Sequence, residues 1–139
     1  MTAVAERTSS VHDPVHVNRV SRVVLDCAMH VHSALGPGLL ESAYEACLAW
    51  EIRKAGLQVE TRVPLPLVYE GVRLDVGYRI DVLVDHCLIV ELKAVDAIAP
   101  VHEAQLLSHL KLSGIRLGLL INFNVAHLKD GIRRLVNNF

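Results

Sequence analysis

Gly77-Tyr78-Arg79-Ile80-Asp81-Val82-Leu83-Val84-Asp85-His86-Cys87-Leu88-Ile89-Val90-Glu91-Leu92-Lys93 is two apolar runs joined by a polar break. Leu88-Ile89-Val90 lacks alternation, as expected of a strand buried on both faces. Ile80 to Val84 reads as its neighbour, with Asp85-His86 as the turn between them. Acidic residues inside central strands are costly unless they are paired or bind a cation. This unit has two, Asp81 within the first strand and Glu91 at the end of the second. Side chains two apart on a strand point the same way, so Glu91 and Lys93 share a face. Whether Asp81 joins them depends on register. A two-residue turn pairs Val84 with Cys87, sets Asp81 opposite Val90 and sends Glu91 to the other face. A three-residue turn or a bulge pairs Val84 with Leu88 and sets Asp81 across from Glu91. A metal site requires the second arrangement. In it, two carboxylates lie close enough to ligate one hard cation, and Mg²⁺ (or Mn²⁺) suits them because it keeps waters and leaves positions for phosphate. Lys93 beside them is suited to orienting a water or neutralising charge on a phosphate. The competing reading of the same residues is a structural Asp/Glu/Lys salt-bridge cluster at a sheet edge.

On the N-terminal side, Val17, Val20, Val24, Cys27, Val31 and Leu35 recur at the spacing of an amphipathic helix, which Gly36-Pro37-Gly38 stops. A second helix is expected over about residues 39–55 and ends at Gly56, with Leu40, Ala43, Cys47, Leu48 and Trp50 as its buried stripe. Glu41, Tyr44 and Leu48 share one edge of that stripe, which puts Glu41 half desolvated between core and cleft. Residues 59–69 are extended, with Pro64 and Pro66 restricting part of them to an edge, and Glu70-Gly71 turns the chain. Beyond Lys93, residues 101–113 are helical and capped by Gly114, and residues 115–122 form another apolar strand. Residues 126–138 are expected as a final helix with Leu128, Ile132, Leu135 and Val136 facing in. The order α-α-β-β-β-β-α-β-α describes an α/β fold, a central mixed sheet flanked by helices. Residues 1–14 are polar and read as a flexible tail, leaving residues 15–139 as a single domain.

The 139 residues are 52% apolar, enough to bury a real core without disulfides or a structural metal. The apolar runs are far shorter than the roughly 20 residues of a membrane span, and Glu6 and Arg7 are followed by no apolar stretch. Cys27, Cys47 and Cys87 are an odd, widely spaced set that reads as reduced core thiols. A cytoplasmic location with no membrane partner is expected. With 14 Lys+Arg against 15 Asp+Glu, bulk electrostatic attraction to nucleic acid is excluded. The charge is uneven, however: residues 1–92 carry 8 basic and 12 acidic groups (net −4), residues 93–139 carry 6 and 3 (net +3). A polyanion-binding face is therefore expected from Lys93, Lys111, Arg116, Lys129, Arg133 and Arg134. Only 4% of residues are aromatic, which argues against base stacking along a single strand.

Asp81, then Glu91-Leu92-Lys93 at the end of the next strand, with a helical Glu41 before them, resembles the PD-(D/E)XK nuclease superfamily, whose fold is restriction-endonuclease-like. Gly38-Leu39-Leu40-Glu41-Ser42-Ala43-Tyr44 fits the motif of a small bacterial group in that superfamily, the GxxExxY proteins. Val31 to Gly38, Gly77 to Asp81, Val90 to Ala94, His102 to Leu107 and Leu120 to Asn124 are similar to the group's other conserved stretches, so the likeness runs over about residues 17–138. It implies Asp81 and Glu91 as metal ligands with the Leu92 carbonyl as a third, Lys93 as the catalytic lysine, and Glu41 as the helical acid. It implies Gln105 as the glutamine of a Gln-x-x-x-Tyr motif, with His109 in the place of the tyrosine. Gln105, His109, Tyr44 and Lys111 are the expected substrate contacts. The Pro of the superfamily name is absent, since Ile80 precedes Asp81.

The function implied is metal-dependent hydrolysis of phosphodiester bonds, with DNA ahead of RNA as the nucleic-acid partner. The alternative is a nuclease fold kept as a binding or assembly module that acts in a homo-oligomer or complex. Plainer expectations accompany the other polar residues. Tyr44 packs half-buried beside Glu41 or else supplies a hydroxyl to the site, and His32 serves as a capping or core histidine. His102 begins the helix that carries Gln105. Trp50 is assigned to the core.

Overall fold

A computed structural model describes residues 13–138; the expected tail falls mostly outside them. Helix α1 is Pro14–Leu35, entered earlier than the apolar spacing alone indicates, because Asp13 accepts the Val15 N–H (3.1 Å) as N-cap and Pro14 is preset for the first turn. Gly36, at φ 68°, ends it and donates its N–H to the His32 carbonyl (2.8 Å). Helix α2 is Glu41–Lys54 and is followed by β1 (Val59–Pro64), β2 (Leu67–Tyr69), β3 (Val72–Leu74), β4 (Arg79–Val84) and β5 (Leu88–Lys93). Helix α3 (Pro100–Ser113) crosses to β6 (Leu117–Asn122), which runs parallel to β5. A 3₁₀ turn (Leu128–Gly131) then leads to β7 (Ile132–Val136).

The main sheet has the order β1-β4-β5-β6-β7, antiparallel except for β5 against β6, and β2 with β3 forms a separate hairpin. Helices α1 and α2 cover one face, where Val24, Val31, Tyr44, Leu48 and Ile52 meet Val82, Leu88, Val90, Leu92, Leu119 and Ile121. Helix α3 covers the other, where Leu106 and Leu110 meet Leu83, Ile89 and Leu120. Gly118 lets α3 come close, since a Cβ there would stand 2.8 Å from Leu106. Each fully buried leucine or isoleucine of β5 contributes about 1.5–3 kcal/mol, so the strand that carries Glu91 is among the most strongly anchored.

Register follows the three-residue alternative: Val84 pairs with Leu88, Leu83 with Ile89 and Val82 with Val90. The Cys87 N–H still closes the tight turn onto the Val84 carbonyl (3.0 Å), with Asp85 and His86 both at positive φ (51° and 56°), so Cys87 is the extra residue. Asp85 is held from two sides, its N–H on the Gln58 carbonyl (2.9 Å) and its carboxylate 2.7 Å from His16 Nε2.

Three expectations are corrected. Residues 126–138 are no helix: Leu128 is buried in the 3₁₀ turn, and Ile132 to Val136 pair along β6. Ile132 joins the α1/α2 core and Leu135 the α3 core, so the apolar spacing reflects a strand that touches both faces. Trp50 is 59% exposed and Leu40 77% exposed, because the inward stripe of α2 is Tyr44, Leu48, Ala49 and Ile52, and Trp50 stands on the outer side with Lys54 5.1 Å from its ring. Tyr44, expected at half burial, is completely buried.

Candidate active site

At one residue, Asp81, strand β4 loses its ladder to β5 and skips one pair of its ladder to β1. Toward β5 the pairing stops at Val82 with Val90, leaving Asp81 and Glu91 next in register. Toward β1, pairs Thr61 with Val82 and Val63 with Ile80 bracket Arg62, which stands at φ 53° opposite Asp81. A side chain fills the gap, since the Leu92 N–H donates to Asp81 Oδ2 (2.9 Å). The Asp81 carboxylate therefore lies close to the plane of the sheet, in the opening between β4 and β5. The N–H and C=O of a strand residue point to the same side, so the Leu92 carbonyl faces that opening as well.

Glu91 is buried on the α3 side of the same opening, with His109 Nδ1 of α3 2.7 Å from its Oε1. Burial pushes its carboxyl up to about 7; the hydrogen bond from His109 works against the rise, and the neighbouring Asp81 carboxylate adds to it. Two carboxylates that crowd one another in a half-dry opening favour a proton or a cation between them. Among the described residues no group of three or more His, Cys, Asp or Glu side chains forms a self-sufficient metal cage. Two carboxylates and a backbone carbonyl nevertheless suit a hard cation that completes its shell with water.

Glu41 is exposed at the first turn of α2. One turn further on, Glu45 is half-buried, and its carboxyl is raised by burial against the opposing pull of Arg62 (Nε to Oε1 3.5 Å), with Asp81 and Glu41 adding to the rise. Through Arg62, which stands opposite Asp81, Glu45 is thus the α2 carboxylate tied to this opening, a residue that sequence reasoning passed over. Its spacing of four from Glu41 was the available signal. Lys93 follows Glu91 by two positions on the same face, half-buried and without an ion pair among the described residues.

Gln105 is exposed on α3, one turn before His109, and lines a groove of about 490 Å³ with Tyr78, Ser108 and Lys111. His109 turns inward to Glu91 and places its ring 6.0 Å from that of Tyr78. Tyr78, three residues before Asp81, also received no role from the sequence. Tyr44 stays away from the cleft: it stacks on Phe123 (4.6 Å), donates to the Gly36 carbonyl (2.5 Å) and accepts the Leu39 N–H (3.2 Å). It holds the Gly36-Pro37-Gly38 turn and hence the start of α2. His102 accepts the Ala99 N–H of its own helix start (2.9 Å), and His32 bonds the Val125 carbonyl (2.8 Å). Asn122, paired with Lys93 across the parallel ladder, ties the loop after β5 through Val95 (2.9 and 3.1 Å).

The six basic residues of the C-terminal third do not converge on one face. Lys111 lines the groove, but Arg133 lies opposite Leu120 and Arg134 opposite Leu119, on opposite faces of β7, and Arg134 reaches Asn18 of α1 (3.1 Å). No helix among the described residues is long and apolar enough to cross a membrane.

A family model described as the PD-(D/E)XK nuclease superfamily matches residues 18–135, a span that holds Glu41, Glu45, Asp81, Glu91, Lys93 and His109. Searches of the curated proteins and of the solved structures give no match.

Proposed function

The chain belongs to the PD-(D/E)XK nuclease superfamily, and from that membership we propose that it hydrolyses phosphodiester bonds with the help of a divalent cation, Mg²⁺ or Mn²⁺, with DNA ahead of RNA as substrate. The observation that carries this reading is the opening at Asp81, where β4 and β5 part and the Asp81 carboxylate, the Glu91 carboxylate and the Leu92 carbonyl face one another. These three groups would hold the cation, which when bound supplies Lewis-acid polarisation of the phosphate and a more acidic water. Glu45, and through it Glu41, extends the acidic wall from the α2 side.

The chain's own groups then have distinct tasks. Lys93, on the Glu91 face, offers an ammonium to a phosphate oxygen as negative charge builds there. His109 fixes the rotamer of Glu91 through Nδ1, and α3, anchored by Leu106 and Leu110, fixes His109. Gln105 and Lys111 line the approach. Tyr44 acts at a distance by holding the turn that starts α2.

The test is cleavage of mixed DNA and RNA by the purified protein with Mg²⁺, Mn²⁺ or EDTA, run beside Asp81→Ala and Lys93→Ala. Cleavage that needs metal and disappears in both variants is expected. Equal activity in wild type and variants would sink the assignment. Calorimetric titration with Mn²⁺ separates it from the binding-module alternative, which predicts no heat that depends on Asp81 and Glu91.

A further inference from the structure

The groove next to the carboxylates has a composition that points to one form of nucleic acid. Its one wall is Leu67 and Tyr78, and its other is the outer side of α3, with Val101, Gln105, Ser108 and Lys111. Tyr78 is 47% exposed, and its ring stands 6.0 Å from the His109 ring, whose Nδ1 is bonded to Glu91. An aromatic face thus lies one side chain away from the carboxylates. Apolar walls with a free ring suit the flat face of a nucleobase. Gln105 carries both a donor and an acceptor for a base edge. Lys111 supplies the groove's cation for a neighbouring phosphate. In an intact duplex the base faces are hidden in the stack and only phosphates and groove edges are presented. Lys111, even with Lys93 beside the carboxylates, gains little from such a surface, because affinity for duplex grows with the number of phosphates neutralised.

We propose that this groove takes one unstacked base of a single strand against the Tyr78 ring, so that the preferred substrate is an unpaired strand or a frayed end rather than continuous duplex. The proposal rests on the phosphodiesterase reading for its choice of ligand, but it concerns binding and is tested without metal. It departs from the expectation drawn from the low aromatic content, and needs only one exposed ring, that of Tyr78, to do so.

The probes are a short fluorescein-labelled DNA strand of mixed sequence and the same strand annealed to its complement, followed by anisotropy in EDTA. The single strand should bind roughly tenfold or more tightly than the duplex. Tyr78→Ala should weaken strand binding by roughly 5- to 150-fold, the range of one base–aromatic stack, and leave duplex binding within about twofold. Tyr78→Phe should retain wild-type binding, whereas Tyr78→Leu, which keeps bulk without a ring, should behave like Tyr78→Ala and covers the case in which the alanine variant fails to fold. A strand carrying 2-aminopurine should lose fluorescence on binding wild type but not Tyr78→Leu. Equal affinity for the two probes, preference for the duplex, binding of neither, or indifference to the Tyr78 ring would each overturn the proposal, the last two leaving the groove to a protein partner. A negative cleavage assay with Mg²⁺ would instead remove hydrolysis and leave these binding results standing.

Discussion

Replacing Glu91 by glutamine should stabilise the metal-free protein, and by an amount that depends on pH. Glu91 is buried beside Asp81, and its carboxyl is pushed up from the ordinary value near 4.5 to about 7. Between those two values the folded chain keeps a proton that the unfolded chain has released, so stability falls as pH rises through that window and is level above it. The rise corresponds to about 3 kcal/mol of stability present at pH 4 and absent at pH 8, taking 1.36 kcal/mol per pKa unit. Glutamine carries no charge at either pH, occupies the same volume and can still bond His109. In EDTA, Glu91→Gln and wild type should therefore melt within a few degrees of one another near pH 4.5. At pH 8 the variant should melt higher by roughly 10 °C, given an unfolding entropy of about 2.1 cal/mol/K per residue. Thermal unfolding followed by circular dichroism reads this directly. Adding Mn²⁺ at pH 8 should raise wild type and leave the variant unmoved, because a bound cation relieves the carboxylate that glutamine has already neutralised. A variant that is destabilised by the same amount at both pH values would refute the electrostatic account of the site and leave Glu91 as a packing residue.

Other perturbations probe the frame. Tyr44→Phe removes the side-chain bonds to Gly36 and Leu39 at the turn before α2 and should cost about 1–3 kcal/mol in urea unfolding; a neutral outcome would show that the turn is held otherwise. Trp50→Ser should change stability by no more than about 0.5 kcal/mol, as for other exposed positions, and a loss of several kcal/mol would mean that this face is covered in solution. In native protein at pH 8 a thiol reagent should modify half-buried Cys47 first and leave Cys87, whose thiol burial pushes up to about 12, untouched until unfolding; mass spectrometry of the labelled peptides reports the order.

How far the sequence alone reached varies from element to element. The run Leu88-Ile89-Val90 announced its strand because both of its faces meet apolar layers. The pairing of Asp81 with Glu91 was legible only as one of two registers, since the choice rests on an extra residue at Cys87 and on two left-handed residues that carry no glycine signature. The segment 132–136 looked helical for a physical reason: a strand with Ile132 on one core and Leu135 on the other imitates three-to-four spacing. Tyr44 and Trp50 exchanged their expected environments because periodicity locates a helix more surely than it orients one, and the orientation of α2 is set by Phe123, distant in sequence. At the site, Asp81, Glu91 and Lys93 stood out as charges in apolar strands. Glu45 and Tyr78 did not, because a helical glutamate and an exposed tyrosine look ordinary until the sheet brings them beside the opening.

The turn through Asp85, His86 and Cys87 lies about four residues up the strand from Asp81, on the order of 13 Å away. Surface turns usually tolerate changes of length, yet this one acts as a parity bit for everything below it. Deleting one residue would leave the strand, its hydrophobicity and its composition nearly intact while turning Glu91 and Lys93 to the opposite face from the one they now share with α3. What this position must keep above all is a count of residues, and a chain shortened there would retain Asp81, Glu91 and Lys93 in its sequence and no longer bring them to one opening.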